Sequence, residues 1–264
     1  MKISGVYKGK IGYTPIVSNT KKGLRLIRFG LLNLSRGKLF EEINKNFETV
    51  LVILNGKCKV GCEGKIWRMG RRNSVFESRA YALYVPPKCG YKITAISSEV
   101  EIAVCKSPAK TKTIPQLITP SQVRLRKVGR GCYIRYVYDI ASDNVKAEKL
   151  MVGETINSPG NWSSYPPHKH NVDNLPYESK LEELYFFRLE PQDGFGVMRV
   201  YDNKKMNQIY VIKNNDVVTI PKGYHPVGVI PGYKIYYLWV LAGKKRIMKP
   251  RDDPAYAWVN REEK

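Results

Sequence analysis

Three histidines are the residues of this 264-residue chain whose type and spacing first suggest chemistry. His168 and His170 form an H-x-H pair, and His225 lies further along in the segment PKGYHPV. Alternate side chains of a β-strand share one face, so a strand would direct both imidazoles of the pair to one side while Lys169 points away. Imidazole is the commonest metal ligand among side chains. The histidines therefore predict a metal site, provided that the fold brings His225 to the pair.

A carboxylate for the same site is expected from the strand-like segment KLEELYFF, which lies between the histidines. Alternation places Glu183 and Tyr185 on one face of this strand and Glu182 on the other. The residues alone do not choose between Glu182 and Glu183 as the fourth ligand. Three imidazoles and one carboxylate are a common divalent-metal set that leaves room for water or substrate. An H-x-H pair also occurs in strands that only pack, so convergence with His225 decides the prediction.

The elements that must position these residues are strands. Short segments rich in Val, Ile and Tyr, each closed by Gly, Pro, Asn or Ser, follow one another without a long amphipathic helix. A proline-punctuated segment, SPAKTKTIPQLITPSQ, divides the chain into two halves, each with a strand entering a proline-containing turn. We therefore predict an all-β fold of two small barrels, over residues 1–115 and 116–264. Only the second half carries histidines, so the first is expected to be structural.

Composition narrows the class of protein. The 45 Lys and Arg against 23 Asp and Glu give a formal charge of +22, but the basic residues are scattered and form no tail or basic helix. We therefore expect no nucleic-acid partner. The positive charge would either attract a small anionic ligand or reflect a highly charged, thermophile-like surface. No apolar run is long enough to cross a membrane, so no membrane association is expected. Five cysteines, an odd number, and no evident secretion signal predict free thiols and a cytoplasmic location.

The spacing of the site residues resembles the cupin pattern, in which one strand supplies H-x-H, the next a Glu, and a later proline-containing turn the last His. Here twelve residues, 171–182, separate His170 from Glu183, and they are expected to form a loop over the barrel mouth. Longer segments make the resemblance more specific: VGETINSPGNWSSYPPHKH, ESKLEELYFFRLEPQDGFGVMRVY, DVVTIPKGYHPVGVIPGYKIYYLWVLAG and DDPAYAW. Together with SVFESRAYALYVPP in the first half, they are similar to the 5-deoxy-glucuronate isomerase family of bacterial inositol catabolism, whose members are bicupins.

This resemblance implies a metal-dependent aldose–ketose isomerase that converts 5-deoxy-D-glucuronate to 5-dehydro-2-deoxy-D-gluconate. Similarity to the more distant uronate isomerase of pectin breakdown implies the ligand set His168, His170, Glu183 and His225. It favours Glu183 over Glu182, because in that relative the Glu directly precedes a hydrophobic-Tyr pair. The expected metal is zinc, with manganese and iron as alternatives, since three imidazoles and a carboxylate accept all of them.

Further residues are weaker candidates. Tyr185 shares a face with Glu183, so its phenol would serve as a proton donor or an oxygen anchor, unless it is only a buried core tyrosine. Arg199, in GFGVMRVY, would hold the substrate carboxylate if it points inward, and would otherwise be a surface arginine. Tyr224 is expected near the barrel mouth. The segment GRGCYIRYVYDI departs from the family, where a more polar run is expected. It would either only pack or, if it lined the mouth, leave the exact substrate open.

The sequence is also compatible with two other functions. One is a cupin dioxygenase with iron in the same ligands, which would consume oxygen, whereas an isomerase would not. The other is a non-enzymatic sugar-acid-binding cupin. Within the isomerase hypothesis, the sequence does not separate proton transfer by a base from a hydride shift. A homo-oligomer is a further expectation, because strand-rich proteins with exposed sheet edges commonly associate.

Overall fold

The computed structural model describes residues 1–5, 9–18 and 23–260. Within these residues the regular structure consists of strands, and the helical parts are short 3-10 turns at Pro120–Gln122, Gly131–Tyr133 and Ala257–Asn260. The strands are β1 (Lys2–Ile3), β2 (Gly12–Val17), β3 (Arg28–Ser35), β4 (Leu39–Asn44), β5 (Phe47–Cys62), β6 (Lys65–Arg72), β7 (Ala82–Val85), β8 (Cys89–Ala95), β9 (Glu99–Pro108), β10 (Gln116–Ile118), β11 (Arg124–Val128), β12 (Arg135–Ala141), β13 (Leu150–Asn157), β14 (Trp162–Ser163), β15 (His168–Lys169), β16 (Glu182–Glu190), β17 (Gly196–Tyr201), β18 (Asn207–Ile212), β19 (Val217–Ile220), β20 (Val227–Val229), β21 (Lys234–Ala242) and β22 (Arg251–Asp252).

The first barrel is built from β2 to β10. One sheet has the order β10-β7-β5-β9-β3-β2, and on the other side β8 pairs with β4 and β5 while β6 pairs with β5. The long strand β5 belongs to both sides and therefore joins them. Apolar side chains from both sides fill the interior, among them Leu51, Val60, Ile93 and Ile102. The first half thus has a closed apolar core of its own.

The second barrel is built mainly from two sheets with a shared core. The larger has the order β1-β19-β16-β21-β13-β12-β11, and the smaller has the order β14-β20-β17-β18. Side chains of both sheets meet in one cluster, for example Tyr185 and Trp239 of the larger sheet with Met198 and Val227 of the smaller. Strands β15 and β22 form a separate antiparallel pair.

Strand β16 is buried on both faces, which explains its almost continuous apolar sequence. Tyr185 and Phe187 point into the second barrel. Leu184 and Phe186 point the other way, into a core that both halves share. Each fully buried side chain of this size contributes about 1.5–3 kcal/mol, so the two barrels are held together by an extended apolar interface.

A buried ion pair crosses the same interface. Arg72 of β6 donates two hydrogen bonds to Glu154 of β13, at 2.7 Å from Nη1 to Oε1 and 3.0 Å from Nη2 to Oε2. The hydroxyl of Tyr236 donates a third to the same carboxylate at 2.7 Å. Both charged side chains are 1% exposed. Loss of one partner would therefore leave an uncompensated charge inside the protein.

The prediction of an all-β fold with two barrels is confirmed. Two short strands cross the predicted division of the chain: β1 pairs with β19 of the second barrel, and β10 pairs with β7 of the first. The division at residues 115 and 116 stays a prediction. All five cysteines are free thiols, and Cys132 is the exposed one. In the described residues, we find no helix with the length and apolar character needed to span a membrane.

Candidate metal centre and active-site cavity

Three of the predicted ligands lie together inside the second barrel. His170 follows β15, Glu183 is the second residue of β16, and His225 lies between β19 and β20. One ligand atom of each lies within 4.8 Å of the other two, and all three side chains are buried. Glu183 reaches the imidazoles because it shares the inward face of β16 with Tyr185.

The H-x-H pair is positioned by the end of the chain. Strand β15 pairs with β22, with His168 opposite Asp252 and Lys169 opposite Arg251. The next residue, Asp253, is buried, its N–H donates to the Pro167 carbonyl at 2.8 Å, and its carboxylate accepts a 2.7 Å hydrogen bond from Tyr201. A segment about eighty residues distant in sequence therefore holds the backbone of β15, which carries His168 and leads into His170.

Backbone carbonyls orient the two buried imidazoles. Nδ1 of His170 lies 2.7 Å from the Leu181 carbonyl oxygen, and Nδ1 of His225 lies 2.8 Å from the Gly223 carbonyl oxygen. A carbonyl only accepts, so Nδ1 carries the proton in both rings and Nε2 of the neutral ring presents a lone pair. Both Nε2 atoms point at one carboxylate oxygen, Oε2 of Glu183, at 2.9 and 3.0 Å.

The two short contacts to Glu183 are not equivalent. His170 Nε2 is aligned for a hydrogen bond, whereas His225 Nε2 is buried without a partner of acceptable hydrogen-bond geometry despite its short distance. Burial alone would lower the pKa of His170, but the hydrogen bond and charge of Glu183 outweigh it and raise that pKa. Burial would likewise raise the pKa of Glu183, but its contacts with His170 and His225 outweigh it and lower that pKa.

His168 lies at the edge of this cluster. Its ring centroid is 4.9 Å from that of His225, and the two rings meet edge to face. It is not part of the group of three whose ligand atoms lie within 4.8 Å. Burial of the ring, followed by the neighbouring His225, lowers the pKa of His168 to about 3. His168 is therefore neutral near pH 7 and can act as a ligand through its lone pair.

A cavity of about 310 Å³ opens beside the imidazoles. Its walls include His168, His170, Glu183, Tyr185, Arg135 and Trp239. Tyr185 points inward, as its alternation with Glu183 predicts, and its hydroxyl lies 3.0 Å from the Ser164 hydroxyl. Burial, followed by the charge of Glu183, raises the pKa of Tyr185 well above its ordinary value. The phenol is thus a neutral hydrogen-bond donor beside the three buried ligands.

Arg199 does not face this cavity, so the predicted inward orientation is wrong. Met198 and Val200 take the inward positions on β17, so Arg199 lies on the opposite face. Its guanidinium stacks 4.0 Å above the Tyr201 ring, and Nε donates to Asn207 at 2.9 Å. It borders a neighbouring aromatic pocket instead. The phase of the strand, which differs by one residue from the expected one, accounts for the error.

The expected covering of the mouth also needs correction. The cavity is bordered by residues from 126–137, 164–166 and 248–260, and none of its lining comes from 171–181. Within that loop, Ser179 binds the Ile247 carbonyl at 2.7 Å, so the loop packs beside the C-terminal segment. Tyr224 is buried against Tyr201, with ring centroids 5.1 Å apart, and does not border the cavity.

The remaining charged candidates have structural partners. Lys169 points away from the imidazoles, but it is not a free surface lysine: Nζ lies 2.9 Å from the fully buried Glu178 carboxylate. Glu182 points toward the first half of the chain. Its carboxylate accepts hydrogen bonds from the backbone N–H groups of Arg25, at 2.9 and 2.8 Å, and Leu26, at 2.7 Å. Adjacent carboxylates on β16 therefore serve opposite sides of the strand.

Arg135 is the cavity residue that the sequence did not single out. It begins β12, inside the segment GRGCYIRYVYDI, and this segment does line the mouth, with Gly129, Tyr133 and Val137 beside Arg135. The sequence pattern that could have indicated Arg135 is the alternation along β12, since Arg135 and Val137 share the face that lines the cavity. Without the register of β12 against β13, that face could not be assigned as inward.

Other proteins are similar to this chain both in sequence and in fold. The KduI/IolB family pattern matches residues 5–259. The 5-deoxy-glucuronate isomerase of Geobacillus kaustophilus is 42% identical over 240 residues, which cover 90% of this chain and 87% of that protein. The isomerase of the same name from Bacillus subtilis strain 168 is 38% identical over 247 residues, covering 92% and 91%.

Solved structures agree at the level of the fold. The crystal structure of an IolB-like protein from Salmonella typhimurium LT2 has a TM-score of 0.91 and 34% identity, covering 96% of this chain and 97% of that chain. An oxalate decarboxylase of Lactobacillus farciminis has a TM-score of 0.67 at 12% identity, covering 92% and 84%, and this likeness concerns the fold alone. Because the family pattern spans nearly the whole chain and the similar isomerases match about nine tenths of it, the chain belongs to the KduI/IolB family.

Proposed function

We propose that this protein is a metal-dependent aldose–ketose isomerase that converts 5-deoxy-D-glucuronate to 5-dehydro-2-deoxy-D-gluconate in inositol catabolism. Two findings support the proposal: relatives over most of the chain are named 5-deoxy-glucuronate isomerase, and a His/Glu cluster lines a cavity in the second barrel. The substrate would be a small sugar acid, for which the charge of +22 provides general attraction. We propose a structural role for the first barrel, whose interior is filled with apolar side chains.

The observation that carries the metal assignment is the meeting of two imidazole lone pairs with one carboxylate. With Nδ1 of His170 and His225 donating to carbonyls, both Nε2 atoms face Oε2 of Glu183 at about 3 Å. Three acceptors aimed at one another repel unless a proton or a cation lies among them. A proton on His170 relieves one contact, in accord with its raised pKa, but leaves His225 Nε2 unpartnered. A divalent cation would satisfy all three.

The donor set fits such a cation. We propose that His170, Glu183 and His225 hold it, with His168 completing the set from the edge of the cluster. The carbonyls that receive the Nδ1 protons fix the rings, as outer partners of metal-binding histidines commonly do. Zinc, manganese and iron all remain compatible with three imidazoles and one carboxylate. When bound, the metal would stabilise negative charge on the oxygens of the reacting carbonyl and hydroxyl groups.

The reaction itself moves one hydrogen between neighbouring carbons of the sugar. The hydroxyl-bearing carbon loses its C–H hydrogen and its oxygen loses the hydroxyl proton, which gives the ketone. The aldehyde carbon gains the hydrogen and its oxygen gains a proton, which gives the primary alcohol. Tyr185, a neutral phenol in the cavity wall, is placed to donate a hydrogen bond to a substrate oxygen. Tyr237 and Trp239 form apolar wall beside it, which limits water around the reacting carbons.

The experiment is turnover of 5-deoxy-D-glucuronate followed by proton NMR. We expect the purified protein to form the ketose without oxygen uptake, to lose activity after treatment with a chelator, and to regain it with zinc, manganese or iron. Incorporation of solvent deuterium at the carbon that receives the hydrogen would indicate proton transfer, whereas its absence would fit either a hydride shift or proton transfer by a base that does not exchange with solvent. If the chelator-treated protein, shown by elemental analysis to be metal-free, kept full activity, metal dependence would be disproved. Product formation coupled to oxygen loss would favour a dioxygenase.

A further inference from the structure

The geometry points to Arg135 as the residue that binds the carboxylate of the substrate and sets the preference for an acid over a neutral sugar. This inference rests on the proposed function, because it names what recognises the charged end of the sugar acid in the same cavity. An open-chain uronate carries its carboxylate at the end opposite the aldehyde. A site that reacts at the aldehyde end near the imidazoles therefore needs an anion-binding group elsewhere in the cavity wall.

Arg135 lies in that wall and keeps donors free. Its Nη1 donates to the backbone carbonyls of Tyr165, at 2.9 Å, and Tyr133, at 3.3 Å. Over the described part of the chain, no carboxylate lies within ion-pair distance of Arg135, and its Nε and Nη2 have no protein acceptor. The two carbonyl contacts fix the guanidinium plane, so the remaining donors form a pre-oriented fork for a carboxylate.

The neighbouring cavity cation is already neutralised. Arg126 also borders the cavity, but its Nε and Nη2 bind the two Asp139 oxygens at 2.8 and 2.9 Å. The side chains of Arg126 and Asp139 thus form a closed pair on the β11–β12 hairpin, which also carries Arg135. This leaves Arg135 as the arginine of the cavity wall whose charge is available to a ligand.

The charge of Arg135 acts on the groups that line the cavity. Burial raises the pKa of Asp252 in the same cavity wall, and the positive charge of Arg135 partly offsets that rise. Partial burial lowers the pKa of the guanidinium, yet arginine stays protonated in proteins. Asp252 is a carboxyl of the same cavity wall but makes no direct ion pair with Arg135. A partly desolvated cation that no carboxylate contacts is stabilised by an anionic ligand, because a buried charge gains from a direct partner.

The test compares Arg135→Met and Arg135→Lys with Arg199→Met, which alters an arginine outside the cavity. Each variant is assayed with 5-deoxy-D-glucuronate and with the neutral 5-deoxy-hexose that carries a hydroxymethyl group in place of the carboxylate. We expect Arg135→Met to lower kcat/KM for the acid by about 10- to 100-fold, mainly through KM, since hydrogen bonds to a charged group are of that strength. Turnover of the neutral sugar and metal content should stay unchanged. Arg135→Lys should give a partial loss, because a lysine lacks the bidentate fork.

A binding measurement separates this inference from the proposed function. Quenching of tryptophan fluorescence, with Trp239 in the cavity wall, reports the affinities of D-glucuronate and D-glucose. The inference is supported if the wild type binds the acid more tightly than the neutral sugar and Arg135→Met does not. This holds even if the wild type isomerises neither sugar, in which case only the proposed function fails. Suppose instead that the wild type isomerises the acid. If Arg135→Met then keeps the wild-type preference for the acid, or if Arg199→Met loses that preference, the assignment of Arg135 is overturned while the isomerase activity stands.

Discussion

Two adjacent carboxylates at the start of β16 allow the effect of a mutation on metal binding to be separated from its effect on stability. Glu183 contacts two imidazoles inside the second barrel, whereas Glu182 accepts hydrogen bonds from backbone N–H groups of Arg25 and Leu26 on the other face. Glu183→Gln and Glu182→Gln make the same chemical change one residue apart. We expect the first to release the metal and the second to weaken the junction between the halves.

The magnitudes follow from the contacts of each carboxylate. Loss of a group that only hydrogen-bonds to a metal ligand already costs about 10- to 100-fold in metal affinity. Loss of the Glu183 ligand itself should therefore cost at least about 100-fold. Glu182→Gln keeps one acceptor oxygen but turns an NH₂ group toward a backbone N–H, which costs about 1–2 kcal/mol for a partly buried hydrogen bond. For a chain of this size, that lowers the melting temperature by about 2–8 °C.

The assays are chelator competition for metal affinity and thermal unfolding, followed by circular dichroism, of the metal-free proteins. Glu182→Gln should keep metal affinity within about threefold of the wild type, and Glu183→Gln should not. Retention of metal by Glu183→Gln together with its loss from Glu182→Gln would refute the assignment of the inward carboxylate. Equal effects of both changes on metal affinity would show that the variants act through the strand rather than through the site.

Three further predictions concern catalysis, the junction between the halves, and pH. Tyr185→Phe should lower kcat by about 100-fold with metal content unchanged, if its hydroxyl takes part in proton transfer; an unchanged kcat would contradict that role. Arg72→Met should lower the free energy of unfolding in urea by about 3–5 kcal/mol, whereas Lys92→Met, which breaks a pair with Glu41 in which both side chains are 56% exposed, should cost under about 1 kcal/mol; similar losses would contradict the burial argument. Burial alone would raise the pKa of Glu148, but hydrogen bonds from a neighbouring lysine and two backbone N–H groups outweigh it and lower that pKa to about 2. Because a lowered folded-state pKa stabilises above the unfolded value, Glu148→Gln should lose about 1 kcal/mol near pH 7, after allowance for solvent screening, and the loss should vanish as the pH falls from about 4.5 to about 2; a loss that persisted at pH 2 would contradict this.

Periodicity made the general architecture accessible from sequence. Alternating apolar segments closed by Gly and Pro predict strands, and their repetition in two halves predicts two barrels. The same alternation places Glu183 and Tyr185 on one face of β16, where the structure has them. These features are local, because each depends on residues within one strand.

Features that depend on pairing between distant strands were not accessible. The expected direction of Arg199 failed because a shift of one residue turns a side chain to the other face of β17. Arg135 could be placed only once the register of β12 against β13 was known. The pairing of β15 with β22 joins segments far apart in the chain, and no local sequence pattern predicts it.

The proposed activity requires a divalent ion among the buried ligand atoms of His170, Glu183 and His225. The most direct measurement is anomalous X-ray diffraction from crystals of the purified protein, with data collected on both sides of the zinc, manganese and iron absorption edges. We predict one anomalous peak about 2.0–2.2 Å from the Nε2 atoms and from a Glu183 oxygen. Well-defined density for these three side chains without an anomalous peak among them, and with His225 Nε2 hydrogen-bonded to water or to Glu183, would contradict the metal centre.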